Sequence, residues 1–315
     1  MSIGTWLRGR VVDVTPMRVP AFRRQLIAQG TSFIGSQLTA VAVPVQVYYL
    51  SHSSLDVGLV GLVGFAPLVV FGLYGGAVAD VMDRRLLYLI SSLGTWAVTI
   101  GLLLQTLLRA NSVPIILGLV AVQSAFFAAA AATRGAIVPR IIDAELVPAA
   151  NTLEFTVGNV GQVFGPLIAG FLVTRHNGFD YAYGIDAALF TIALYAAIRL
   201  PNIPPDGKRS RAGLRSVIEG LAFIVTRPVL MMSFAVDIVA MVFAMPRALY
   251  PQVAAERWGG QVGPLYAAIA IGAVLAGVSS GWIGKVRRQG VALTVAVIGW
   301  GLAVAAAGLA HQLWL

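Results

Sequence analysis

Ionisable side chains stand inside long apolar stretches of this 315-residue chain: Arg134, Glu154, Asp186, Asp237 and Arg247. A charge in an apolar run needs a partner or a purpose, because removing it from water is expensive. At about 1.5 Å rise per residue, Arg134 lies roughly 6 Å from the end of its stretch and Glu154 roughly 8 Å from the start of the next long one. Matching depth on consecutive stretches predicts a neutralising pair, serving either structure or proton coupling. Asp237 lies about 12 Å into its stretch, where a carboxyl can load and release a proton; a hydrogen-bonded structural aspartate is the alternative. Asp186, roughly 8 Å from the outer end of its stretch, and Arg247 read as outer-vestibule or interface-anchoring groups.

Other chemistries lack material. There is no cysteine and there are three histidines, so thiolate sites, cysteine nucleophiles and histidine-based metal sites are not expected. No phosphate-binding glycine-lysine loop and no nucleophile constellation is present, which argues against an enzyme and against a cofactor.

The elements that carry these residues follow from composition. The chain is 58% hydrophobic and 11% charged, against roughly 25% charged in soluble domains. Apolar runs of about 18 to 25 residues recur, each able to cross a bilayer as a helix. We expect an all-α membrane protein with nine spans, at 25–50, 55–79, 86–108, 113–138, 149–174, 181–200, 229–253, 262–284 and 290–311.

The net charge of +9 suggests nucleic acid only until its distribution is read. With a cytoplasmic N-terminus, the inner segments hold Arg8, Arg10, Arg18, Arg23, Arg24, Arg84, Arg85, Arg140, Arg199, Lys208, Arg209, Arg211, Arg215, Arg227, Lys285, Arg287 and Arg288, and the outer loops hold Arg109, Arg175 and Arg257. That asymmetry is the positive-inside pattern of a multi-pass protein of the inner membrane, and no nucleic-acid partner is needed. The polar, Pro-rich stretch after the sixth span divides the chain into a cytoplasmic segment 1–24, a six-helix unit 25–200, a cytoplasmic linker 201–228 and a further unit 229–315.

Polar and small residues set two faces. Gln25, Gln29, Ser32, Ser36, Thr39 and Gln46 share a stripe of the first span, and amides and hydroxyls are disfavoured against lipid. We expect Gln29, Ser32, Ser36 and Gln46 to line a watery cavity; interhelical hydrogen bonding is the alternative. In the fifth span Gly158, Gly161, Gly165 and Ala169 share a face where a neighbouring helix can approach closely, and Pro166 predicts a kink. Trp96, Trp258, Trp282, Trp300 and Trp314 read as residues of the membrane interface.

Two stretches about 205 residues apart match one another: Gly76-Ala-Val-Ala-Asp80-Val-Met-Asp-Arg84-Arg85 and Gly281-Trp-Ile-Gly-Lys285-Val-Arg287-Arg288. Each follows the second span of a unit, as in a duplicated transporter. Gly76, Asp80, Arg84 and Arg85 together resemble the loop 2/3 signature of the major facilitator superfamily, and Gly161-Gln-Val-Phe-Gly165-Pro166-Leu-Ile-Ala169-Gly170 is similar to the antiporter motif of its exporters. Asp13-Val-Thr-Pro16, Val43-Pro44-Val-Gln46 and Met245-Pro246-Arg247 resemble the enterobactin-exporter and drug:proton antiporter branch. Helix 4 departs from many drug exporters in offering Gln123 where they carry arginine.

The resemblance implies twelve helices in two halves, a gating cluster at Asp80 that docks on a helix of the second half, and export of a bulky hydrophobic, drug-like or siderophore-like compound in exchange for protons. A second half starting near 229 ends around 400 by that scheme, about three helices further on. We therefore expect a complete six-helix half plus about three helices of the other, a truncated family member. Two functions stand open: an active exporter, or a non-transporting remnant of one.

Overall fold

The computed structural model describes residues 13–79, 82–134, 137–199, 219, 222–243, 245–279 and 288–310. Six long helices come first: α1 Pro20–Ser51, α2 Ser54–Ala79, α3 Arg84–Leu107, α4 Val113–Arg134, α5 Val147–Val173 and α6 Gly178–Ile198. A one-turn helix, Val138–Ile141, links α4 to α5. Beyond the linker come α7 Pro228–Phe243, α8 Tyr250–Arg257, α9 Gly263–Ser279 and α10 Gln289–Leu309. No strand occurs among the described residues.

Local chemistry sets the ends. Helix α1 starts upstream of residue 25 because Pro20 occupies its first turn, where proline has no N–H to waste; Arg23 and Arg24 therefore lie within the helix. It stops at His52, whose left-handed backbone (φ 52) breaks the repeat. Asp83 caps α3, its carboxylate accepting from the Arg85 N–H at 2.8 Å and the Leu86 N–H at 3.3 Å, which satisfies two of the orphan donors of the first turn. Ahead of α1, the Thr15 N–H and hydroxyl both donate to the Asp13 carboxylate and hold its pKa below the ordinary aspartate value.

The seventh span, expected as one helix over 229–253, is interrupted. Helix α7 ends at Phe243, a 3-10 turn runs Arg247–Leu249, and α8 resumes at Tyr250. Pro246 and Pro251 lie on either side of the turn and neither can donate to an α-helical ladder; instead Leu249 N–H donates to the Pro246 carbonyl at 2.9 Å.

Helix α1 is the hub: it packs on α5 and α6, and more lightly on α2. Helix α4 packs on α2 and α3, α3 on α6, and α9 on α5. The main core joins Leu38, Val41 and Val45 of α1, Leu102 of α3, Ile116 of α4, Ala169 of α5 and Tyr183 of α6. Outward faces are equally apolar, with Phe65, Phe164, Val229 and Leu302 among many exposed large hydrophobic residues. Among the described residues, eight stretches are long and apolar enough to cross a membrane. Helices apolar all round, with every backbone group satisfied within the helix, suit lipid and not water.

Cations close one end of the bundle. Arg24 donates to the Arg199 carbonyl (3.4 Å) and Arg85 to the Ile198 carbonyl (2.6 Å), so the starts of α1 and α3 meet the C-terminal end of α6, where the helix dipole is negative. Chain crossings agree: the start of α1, the start of α3 and the end of α6 belong on one side. The opposite side gathers the α1–α2 and α5–α6 connections, where Tyr49 packs edge-on against Phe179 (6.1 Å).

Candidate functional site

Helices α1, α2, α5 and α9 and the interrupted seventh span surround a cavity of about 410 Å³, within the usual size of a small-molecule site. Gln37, Ala40, Val41 and Pro44 of α1 form one wall; Gln162 and Pro166 of α5, Arg247 and Ala248 of the turn, and Tyr266 of α9 face it. Gly58 and Gly61 of α2 also border it, with nothing within 4 Å of where a Cβ would stand. Arg247 supplies positive charge at the break in the helix, and broken helices at membrane depth are tolerated where they line a cavity. The break is braced: the Tyr266 hydroxyl donates to the Arg247 carbonyl (3.4 Å), and the Tyr266 ring meets Tyr250 edge-on at 5.1 Å.

A second cavity of about 290 Å³ adjoins the first, sharing Gln37, Ala40, Pro44 and Val60. Ser32, Ser36 and Thr39 of α1, Thr95 of α3, Gln123 and Phe127 of α4 and Phe190 of α6 line it. The polar stripe of α1 thus divides. Ser32 and Ser36 border the cavity, their hydroxyls bonded back to the carbonyls of Gln29 and Phe33. Gln29 is half-buried. Gln46 does not line either cavity: it is buried, and its Oε1 accepts from the Tyr183 hydroxyl (2.8 Å) and from Gln105 Nε2 (3.1 Å). Two buried donors use both lone pairs of this oxygen, tying α1 to α3 and α6.

The glycine face of α5 serves two neighbours. Gly161 and Gly165 receive α1: a Cβ on Gly161 would stand 2.7 Å from Phe33, and one on Gly165 would run into Gln37. Gly170 receives α9, since a Cβ there would collide with the backbone of Gly263. A Cβ on Gly263 would in turn stand 2.9 Å from the carbonyl oxygen of Pro166. Gly158 has open space in front of it. Elsewhere the Ser54 hydroxyl donates to Gln252 Oε1 (2.5 Å), joining the start of α2 to α8.

Of the loop 2/3 group, Gly76 lies within α2, Arg85 reaches the end of α6 as above, and Arg84 opens α3. Asp80 and the side chain of Arg84 lie outside the described residues, as do the linker over 201–218 and the second copy of the repeat from Gly281 to Arg287. The Arg134 side chain lies outside them too, so the pairing expected with Glu154 is not described; Glu154 is half-buried on α5. Asp237 is exposed on α7 and borders a groove with Met241, Met245 and, from α10, Val297 and Trp300. No group of three or more histidine, aspartate or glutamate side chains that could hold a metal occurs among the described residues.

Asp186 is the charged residue whose place the sequence did not reveal. It is fully buried, not at an interface or vestibule. Its Oδ2 accepts from the Thr39 hydroxyl of α1, and Gly35, one turn earlier, makes room for the carboxylate. No local signal marks it: Gly35 and Thr39 stand among other small or hydroxylated residues of α1, Gly30, Thr31, Ser32 and Ser36.

An apolar helical bundle with a cavity partly walled by a broken helix has the architecture of a multi-pass membrane transporter. The Major Facilitator Superfamily profile matches residues 26–315, and the chain belongs to that superfamily. It is 32% identical over 303 residues to the enterobactin exporter EntS of Escherichia coli, covering 94% of this chain and 71% of that protein, and equally similar to EntS of Escherichia fergusonii. Among solved structures, the nucleoside transporter NupG shares the fold with a TM-score of 0.62 at 13% identity, over 80% of this chain and 64% of that one. An auto-inhibited POT family peptide transporter shares it with a TM-score of 0.51 at 18% identity, over 91% of this chain and 56% of that one. The chain therefore spans less than two thirds of the solved transporters it matches.

Proposed function

We propose that the protein is a secondary active exporter that moves a hydrophobic, drug-like or siderophore-like compound out across the inner membrane in exchange for protons. The observation that carries the reading is the cavity shared by α1, α5, α9 and the interrupted seventh span: apolar walls suit a bulky organic cargo, while Gln37, Gln162 and Arg247 suit its polar or acidic groups. Similarity to an enterobactin exporter supports the same class of cargo. The N-terminus and the linker lie on the cytoplasmic side, with the six-helix unit 25–200 and the unit 229–315 rocking about the cavity.

In this scheme Gly76, Asp80, Arg84 and Arg85 gate the inner side, and Gly161, Gly165, Pro166 and Gly170 form the antiporter face. Asp237, with Arg134 and Glu154, is a site for proton coupling. No cofactor is used.

Proteoliposomes holding the chain, loaded with enterobactin or ethidium and given a pH gradient, test it. Gradient-dependent movement of either probe above that of protein-free vesicles is expected. Absence of both gradient-driven movement and exchange would overturn the exporter and favour the non-transporting remnant.

A further inference from the structure

Asp186 has no place in the reading above, yet it is a titratable group in the middle of the six-helix unit. It lies eight residues into α6, about 12 Å along the helix, and none of its surface is exposed. Oδ2 accepts from Thr39; Oδ1 has no hydrogen-bond partner among the described residues. Among the described residues, the helices around it bring no cation to it. Helix α1 presents Gly35 and Thr39, α3 presents the Thr99 hydroxyl, and the titratable group beside it is Tyr183 of its own helix, whose hydroxyl is committed to Gln46. A carboxylate without a cationic partner in an apolar interior is not a stable structural ion, whereas a carboxyl that takes up a proton is.

Thr39 connects this group to the transport pathway. It borders the 290 Å³ cavity and at the same time donates to Asp186. We propose that Asp186 is a proton-binding site of the transport cycle, reached from the cavity through the Thr39 hydroxyl. A hydronium in the cavity gives its proton to Thr39 Oγ1 as Thr39 passes its own to Asp186 Oδ2, leaving water, an unchanged threonine and a neutral carboxyl; release is the reverse. This deepens the proton-exchange reading and rests on it for its role, but proton binding itself is measurable without transport.

The experiment is infrared difference spectroscopy of the protein in lipid vesicles between alkaline and acid pH, alongside gradient-driven ethidium movement. The parent chain is expected to show a protonated-carboxyl component that Asp186→Asn removes and Asp237→Asn leaves in place, separate from any component Asp237 itself contributes. Thr39→Val, which leaves the carboxyl in place, is expected to move the band in frequency without removing it. Asp186→Asn is also expected to lower gradient-driven movement at least tenfold while leaving gradient-free exchange within about twofold. A difference spectrum that Asp186→Asn leaves unchanged, or a parent chain with no titrating band, overturns the proposal. If the parent chain moves no probe in either mode but the band depends on Asp186, the exporter reading fails and the proton site stands.

Discussion

Gly35 of α1 and Asp186 of α6 claim a single volume: any side chain on the first would displace the carboxylate of the second. Two helices that sit 147 positions apart at the Thr39–Asp186 bond are thereby locked in register, and the lock needs an absent side chain as much as a present one.

Gly35→Ala is expected to lower thermal stability, although alanine is the better helix former. The intrusion reaches the Asp186 Cα as well as its carboxylate, so rotamer adjustment alone cannot relieve it, and overpacking of this kind costs about 1–3 kcal/mol. Gly58→Ala, which meets nothing within 4 Å, is the comparison and is expected to be neutral or stabilising by up to about 1 kcal/mol. Melting curves in detergent check both; equal melting temperatures for the two variants would refute the account.

Gln46→Leu strands two buried donors, the Tyr183 hydroxyl and Gln105 Nε2. Each unsatisfied group costs about 1–3 kcal/mol. The double variant Gln46→Leu with Tyr183→Phe removes one of the stranded donors and is expected to recover part of the loss. A double-mutant cycle on melting temperature that shows simple additivity would mean the two side chains are not coupled.

Gly170→Val and Gly263→Val are expected to separate α5 from α9, because each new side chain meets backbone and not a movable side chain. At least a tenfold loss of probe movement in vesicles is the expected reading, with Gly158→Ala unaffected. Full activity in Gly170→Val would show that this close approach is dispensable.

Because the chain has no cysteine, paired replacements give a clean background. Ser54→Cys with Gln252→Cys, joined by a short bifunctional thiol reagent, should tie α2 to α8 where their side chains now touch and stop turnover. Cleaving the linker is expected to restore it. A joined protein that still transports would mean that these two ends stay together throughout the cycle.

Arg247→Ala is expected to weaken probe binding in the 410 Å³ cavity, at least fivefold for an anionic organic probe and less for the cation ethidium, with Arg247→Lys intermediate. Equilibrium binding to purified protein distinguishes them, and an equal loss for both probes would point to collapse of the turn instead of lost charge.

The spans were legible because hydropathy over some twenty residues is a strong, local signal. The break in the seventh span was carried by Pro246 and Pro251, but within an apolar run these prolines do not say whether the helix bends or stops. Ser32 and Ser36 of the α1 stripe border a cavity, whereas Gln46, on the same stripe, finds donors on α3 and α6 that no local pattern could supply. Asp186 was the hardest to read. Its partners Gly35 and Thr39 lie in a different helix, and its burial depends on which face of α6 turns inward, a tertiary fact.

At Gly170 and Gly263 two main chains touch with nothing interlocked between them. Meshed side chains act like gear teeth and resist turning, but two bare backbones form a smooth bearing. At this point α5 and α9 therefore lack the side-chain meshing that would oppose a change in their crossing angle.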